Sequence, residues 1–581
     1  MNIVIVTLPI RSEHSTVPPF GALAIIQSLR SAGYKPYFYD IDALRPSEQE
    51  LTEFMMSFKP DIVGISAVVS TAYGLVKQLC SLLRTKLPET RIILGGNMSA
   101  SSEILLRFCK LDVCVLGEGE YTIRELALHY KTKINDNAQE NLRKIKGIMY
   151  LDENGNIVNT GYRPQLTTDE MIDPDFTILE EYSDIKLFCN EPRGYFSEDP
   201  RFYDSFRKGK KQGMIMYSKG CVARCSFCYR FDKGYRILPV NRTIDRIEYL
   251  IKNYNVGFVV FGDECFGADK KHTAELVKAL KELNVLWLVG GVRCNSVSKE
   301  ILAQWKDAGC VKVIFGMESG SERMLNVMQK RTTAKQNYDV AKWTNETGLQ
   351  TTYQFVIGLP GETPETINES ADFASYALTL DKNVSLLNIS INWAFALPGT
   401  PLYEYGRSMG ILGATVESEE QYLIENSNKE PGDCREVTNF TDCPYLIVLS
   451  WHRVIRANVY YRYIKKYGIE QYYKNIYQNA VKPSILSILR NKDFNLLFYN
   501  FPRISYKFRN LLWILNIRTA ARQRGPVRMI MLFFSSLKFM VAYLLGKKLD
   551  FKYKPLRKTI NEDLKNPYFG TKEMRPLRKG R

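Results

Sequence analysis

The sequence predicts an α/β protein in three parts: an N-terminal Rossmann-like doubly wound sheet, a partial (β/α)6 barrel, and a mainly helical, basic C-terminal region. Three observations carry this. Short β-rich runs alternate with helical stretches over residues 1–135. The alternation resumes over 211–410, after a polar, irregular stretch at 136–210 read as a linker with a small hairpin. From 411 to 581 the alternation is lost, and Tyr, Lys and Arg at helical spacing take over.

In the first part the strands are Asn2–Leu8, Pro36–Tyr39 leading to Asp40, Ile62–Ser66, Arg91–Leu94 and Asp112–Leu116. Helices are expected at Pro19–Ala32, at Tyr73–Leu87 and after Gly117. Five such strands make a parallel sheet whose ligands sit at the carboxyl ends. In the barrel the candidate strands are Gly213–Tyr217, Gly257–Phe261, Leu286–Gly290, Val311–Phe315, Thr351–Ile357 and Leu386–Ala394.

Composition narrows the class. At 581 residues, with 45% hydrophobic and 24% charged residues, the chain has room for about three to five globular domains. It is neither disordered throughout nor a multi-span membrane protein. Twelve cysteines are too few for a disulfide scaffold. MNIVIVTLPIRSEHS reads as a first strand, without the basic start and cleavage site of a secretory signal. A cytoplasmic, reducing location is expected, with cysteines as free thiols, core residues or metal ligands.

The strongest chemical signal is Cys221-Val-Ala-Arg-Cys225-Ser-Phe-Cys228, just after the first barrel strand. Three thiolates in one loop can wrap a single metal centre. A structural zinc site is the plain alternative, but it is normally closed by four ligands. The next candidates, Cys265 and His272, are distant in sequence. An iron–sulfur cube takes one cysteine per iron, so three leave one iron open.

At this spacing, with Phe227 before the third cysteine, the loop resembles the CxxxCxxC motif of the radical S-adenosylmethionine (SAM) superfamily. That resemblance implies a [4Fe-4S] cluster whose open iron is chelated by SAM. It also implies one-electron cleavage to a 5′-deoxyadenosyl radical, fed by a flavodoxin- or ferredoxin-type donor. Further matches stand behind successive strands: Gly262-Asp263-Glu264 resembles the acidic segment facing the SAM amino group. Arg293 follows the third strand, where a cation could pair with the SAM carboxylate. Gly316-Met317-Glu318-Ser319-Gly320-Ser321 is similar to the GxESGS stretch at the ribose and methionine end. Gly358–Thr363 and Leu397–Pro401 follow the last two strands.

The sheet ahead of the barrel resembles the cobalamin-binding domain of the cobalamin-dependent (B12-binding) radical SAM enzyme family. The segments are Pro18-Pro19-Phe20-Gly21, Pro60–Ser66, Gly95-Gly96-Asn97 and Gly117–Glu120. Gly95 and Gly96 permit close backbone approach, and Ser66 can hydrogen-bond a buried heterocycle. The DxHxxG motif of many corrinoid proteins is absent, and His14 lies in RSEHSTV without its aspartate and glycine. The resemblance then implies cobalamin held with no histidine on the metal. A degenerate module that binds nothing is the plain alternative.

The function these readings imply is methylation of an unactivated carbon. A cobalamin-dependent cyclase or rearrangement enzyme is the second reading. A methylthiotransferase would need a second cysteine trio, for which Cys80, Cys109 and Cys114 are poorly spaced. A corrinoid carrier or sensor would have no use for an open iron. Cys434 and Cys443 carry no specific signal.

The net charge of +17 is localised: residues 501–581 hold 20 Lys/Arg against 4 Asp/Glu. Val527–Gly546 is apolar but for Arg528, Ser535, Ser536 and Lys538, and a second apolar run, Leu511–Ile517, precedes it. A mid-helix lysine suits a helix lying in a membrane interface better than one crossing it. The sequence therefore suggests an anionic membrane surface as partner, with peripheral attachment at its inner face and a small, hydrophobic or lipid-like substrate. No nucleic-acid partner is expected, since these runs supply no stacking surfaces. A helical cap packed on the barrel is the plainer alternative.

Overall fold

The computed structural model describes residues 1–68, 70–132, 138–229, 234–413, 415–427, 437–477 and 501–546. The N-terminal sheet is built from β1 (Ile3–Thr7), β2 (Tyr37–Asp40), β3 (Ile62–Ser66), β4 (Arg91–Gly95), β5 (Val113–Val115), β6 (Ile148–Leu151) and β7 (Ile157–Asn159). Their order is β2-β1-β3-β4-β5-β6-β7. The first five are parallel and carry near-continuous buried apolar runs, because helices cover both faces.

The sheet is larger than the five strands expected. The hairpin in the stretch read as a linker adds β6 and β7 antiparallel to the β5 edge. Its turn is set by Asp152, whose carboxylate accepts from the backbone N–H groups of Asn154 at 3.0 Å and Asn156 at 2.8 Å. Beyond the hairpin the stretch is not irregular throughout; short helices such as Thr177–Tyr182 and Ile185–Phe188 pack in the core.

The second sheet consists of β8 (Lys211–Ile215), β11 (Val256–Phe261), β12 (Leu286–Val292), β13 (Cys310–Glu318), β14 (Gln350–Ile357) and β15 (Ile389–Trp393). It runs β15-β14-β13-β12-β11-β8, parallel throughout and with no β8–β15 pairing, so the barrel is open. A separate antiparallel ribbon, β9 (Ser218–Gly220) with β10 (Tyr235–Ile237), projects beside β8. Period-two alternation separates the two faces of the sheet. Tyr353, Phe355 and Ile357 are buried under the helices, while Thr352, Gln354 and Val356 face the half-open lumen.

The two sheets share apolar core. Val4, Val63 and Leu94 of the first belong to one buried cluster with Met328, Leu359, Ala394 and Tyr403 around the barrel mouth. After the barrel, helix Tyr445–Tyr467 packs on helix Pro364–Leu378 and receives the C-terminal helices. The last of these, Ile517–Leu544, is broken at Gly525-Pro526, where Gly525 takes φ 75° and proline cannot continue the ladder.

Candidate active site between the two sheets

The cysteine loop is anchored before it starts. Asp263, just past β11, accepts from the backbone N–H of Tyr217 at 3.2 Å and from the Ser218 hydroxyl at 2.5 Å. Burial pushes its carboxyl up to about 6, against the pull of these bonds. Cys221 follows, half-buried; Cys225 is buried and Cys228 exposed. The Ala223 N–H points at Cys221 Sγ at 3.4 Å, an orientation that favours a thiolate. Ser226 ties the loop down: its N–H donates to the Met328 carbonyl at 2.8 Å, and its own carbonyl accepts from Leu402 at 3.0 Å. Phe227 packs at the edge of the shared core.

Burial raises the Cys225 thiol, while the Lys330 and Arg293 charges pull it down. Cys265, which the sequence left without a role, is in hydrogen-bond contact with Cys221, and that contact and burial raise its thiol. Among the described residues no three His, Cys, Asp or Glu side chains converge where a single metal ion could sit. The three cysteines share a loop with cationic neighbours, not a preformed mononuclear site.

Glu264 is exposed at the end of β11, beside that loop. Arg293 is buried and donates to the Lys330 carbonyl. Glu318 ends β13 in the left-handed region, at φ 63°. Its carboxylate takes an ion pair from Lys330 Nζ at 2.8 Å, with both side chains about nine-tenths buried. Gly316 leaves room for this pair: a Cβ there would lie 2.4 Å from Glu318 Oε1 and 2.9 Å from Lys330 Nζ, so a side chain would displace the two charged ends. Ser319 is buried, its hydroxyl 2.9 Å from that of Ser370 on helix Pro364–Leu378. Lys330 was missed by sequence reasoning, since its pairing with Glu318 crosses a helix and leaves no local spacing signal.

At the carboxyl ends of the N-terminal strands lies a cavity of about 480 Å³. Thr7, Ser66, Gly95 and Gly96 form its floor, the middle segment contributes Met171 and Phe188, and the barrel side contributes Lys219 and Arg246. Gly96 is at φ 90°, and a Cβ on it would meet the Ala67 carbonyl oxygen at 2.5 Å. Arg246 pairs with Asp173, and burial lowers its guanidinium to about 10. Glycine floor, mostly apolar walls and a few polar groups suit a flat heterocyclic tail, so the chamber fits a corrinoid nucleotide. His14 is not part of it; its Nδ1 lies 3.0 Å from the Asp42 carbonyl oxygen.

Cys80, Cys109 and Cys114 are core thiols, which burial raises; Cys109 reaches about 11 and Cys114 about 12. Cys443 is buried against Glu362, and Cys434 lies outside the described residues.

Fold and site define an α/β enzyme with a nucleotide-type cavity whose wall, at Lys219, runs into a cysteine loop. Residues 7–127 match the B12 binding domain, and residues 215–374 match the radical SAM superfamily. The chain is a cobalamin-dependent radical SAM enzyme, whose two domains imply cobalamin, a [4Fe-4S] cluster and SAM.

Among curated relatives, an uncharacterized methyltransferase of Pyrococcus horikoshii is 28% identical over 68% of this chain and 80% of its own length. The anaerobic magnesium-protoporphyrin IX monomethyl ester cyclase of Cereibacter sphaeroides is also 28% identical, over 67% of this chain and 60% of its own. In fold the chain is similar to the cobalamin-dependent SAM radical enzyme OxsB, with TM-score 0.58, 16% identity and coverage of 96% and 82% of the two chains. It is likewise similar to the radical SAM methyltransferase TsrM of Kitasatospora setae, with TM-score 0.55, 17% identity and coverage of 71% and 79%.

Proposed function

We propose that this enzyme methylates an unactivated carbon of a small molecule. One observation carries the reading: the N-terminal cavity and the cysteine loop share a wall, Lys219 lining the cavity two residues before Cys221. The cluster with SAM supplies radical chemistry, and cobalamin supplies the methyl group. In this reading Cys221, Cys225 and Cys228 each hold one iron and leave the fourth for SAM. Glu264 and Arg293 face the SAM amino and carboxylate groups. Phe227, Glu318 and Ser319 shape the rest of the SAM site, with Lys330 holding Glu318 in place. Ser66, Gly95 and Gly96 receive the corrinoid tail. Electrons come from a flavodoxin- or ferredoxin-type donor.

Cyclisation without methyl transfer is the second reading, favoured by the cyclase relatives. The products separate the two. A methyl group taken from SAM leaves S-adenosylhomocysteine, whereas hydrogen abstraction leaves 5′-deoxyadenosine. Anaerobically reconstituted enzyme, offered small-molecule extract and SAM with a deuterated methyl group, should release both by-products and a labelled metabolite. Release of 5′-deoxyadenosine alone, with an unlabelled product, would favour cyclisation.

We also propose a peripheral position at the inner face of a membrane. Helix Gly525–Leu544 is long and apolar enough to span a bilayer, and 22% of it is buried. Met529, Ser536 and Met540 pack inward, while Val527, Ile530, Met531, Phe534, Val541 and Leu544 are exposed. Lys538 is also exposed, which favours a helix lying in the interface over one crossing it. Such docking would bring a hydrophobic or lipid-like substrate to the enzyme. Truncation of residues 501–581 should abolish flotation with anionic liposomes. Equal recovery of both proteins in the soluble fraction would leave the helix as a packed cap.

A further inference from the structure

Glu118 closes a junction of three separate pieces of chain. It follows β5, is 8% exposed and lines the cavity. Its carboxylate accepts from Lys219 Nζ on β9 at 2.8 Å and from both terminal nitrogens of Arg236 on β10, at 2.9 and 3.1 Å. It also accepts from the backbone N–H of Leu166 at 2.7 Å, in the segment that joins the two sheets. Glu120 stands 3.8 Å from the same lysine.

Lys219 and Arg236 are direct partners across the β9–β10 ribbon, whose strands are three residues long. That ribbon has two anchors. One is Glu118, in the cavity wall; the other is Asp263, which holds Ser218 and immediately precedes Glu264. Cys221 is the first residue after β9. A path of direct contacts therefore runs from the cavity wall through Glu118 and Lys219 to the first cysteine of the loop.

We infer that Glu118 is a positioning residue that couples filling of the corrinoid cavity to the geometry of the cysteine loop. The inference rests on the assignment of cobalamin to this cavity. A ligand filling the cavity packs against Glu118 and Lys219. Because the ribbon is short, with its anchored residues Ser218 and Lys219 three and two residues before Cys221, a shift of its cavity anchor moves Cys221. Such coupling is reciprocal: a cluster in the loop changes corrinoid affinity by the factor by which corrinoid changes the stability of the loaded loop.

The test measures binding and spectra rather than turnover. Full-length protein, with and without anaerobically reconstituted cluster, is titrated with hydroxocobalamin, and the reduced cluster's EPR spectrum is recorded with and without it. The parent protein should show a corrinoid affinity differing about fivefold or more between cluster-free and cluster-loaded forms, and a corrinoid-dependent EPR shift. Glu118→Gln keeps the shape and the Leu166 bond but weakens the hold on both cations. It should bring the affinity ratio below about twofold and abolish the EPR shift, with iron content retained. Full coupling in E118Q, or none in the parent, overturns the inference. Failure of the parent to bind hydroxocobalamin at all instead refutes the cofactor assignment. Should E118Q not hold iron, Lys219→Met, which leaves the Glu118–Arg236 pair intact, decides by the same two readouts.

Discussion

Lys330 Nζ lies 2.8 Å from Glu318 Oε1, with Arg293 held against the carbonyl of the same lysine. A buried ion pair is costly to break from one side, because the remaining charge is left without compensation. Lys330→Met should therefore cost about 3–5 kcal/mol of stability and weaken SAM binding, as read by denaturant unfolding and equilibrium dialysis. Adding Glu318→Gln to it should recover most of the stability but not the SAM affinity. A double variant as unstable as K330M would show that the pair is not the coupled unit.

Replacement of Cys221, Cys225 and Cys228 together by alanine should abolish iron–sulfur absorption and all SAM cleavage while leaving the fold intact by circular dichroism. Cys265→Ala, which removes only the neighbour of Cys221, should retain the cluster. Iron and sulfide analysis distinguishes the two; iron retained by the triple variant would refute the ligand assignment.

Two adjacent glycines should behave differently. At Gly95 a Cβ would meet nothing closer than Val115 Cβ at 3.8 Å, so Gly95→Val should fold and fill the cavity, excluding hydroxocobalamin. Gly96→Ala, at φ 90° and 2.5 Å from the Ala67 carbonyl, should instead lower the melting temperature. His14→Ala should leave the visible spectrum of bound cobalamin unchanged, since the histidine stands outside the chamber.

Burial pushes the Glu362 carboxyl from 4.5 up to about 8, despite bonds from the backbone N–H groups of Gly358 and Leu359. Between those values the folded chain holds a proton that the unfolded chain has released. Stability should then be greatest below the lower value, fall as pH rises through the window, and level off above about 8. Glu362→Gln should flatten this slope in urea midpoints taken from pH 6 to pH 9. An unchanged slope would place the titration elsewhere.

Strand positions were legible because parallel strands covered on both faces read as apolar runs; Ile62–Ser66 was placed to the residue. The cysteine loop and the acids behind the strands were legible because their spacing is local. The pairings of Lys330, Asp263 and Glu118 were not: each acts through partners 12 to 118 residues away, which only the fold brings near. Ser319 stands in an intact local motif, but its hydroxyl contact with Ser370, 51 residues on, left no mark in that motif. The hairpin of β6 and β7 was expected, but its pairing to the β5 edge was not, since nothing local in its polar sequence marks the strand it joins. In the C-terminal region, 428–436, 478–500 and 547–581 lie outside the described residues.

The apolar cluster joining Val4, Val63 and Leu94 to Leu359, Ala394 and Tyr403 has a consequence for how the molecule comes apart. Neither sheet can melt without exposing side chains that the other covers. The two halves should therefore denature as one cooperative unit, with coincident calorimetric and optical transitions. A fragment ending near residue 135 would carry a sticky, uncovered face into solution, and expressing either half alone should yield aggregate rather than a working module.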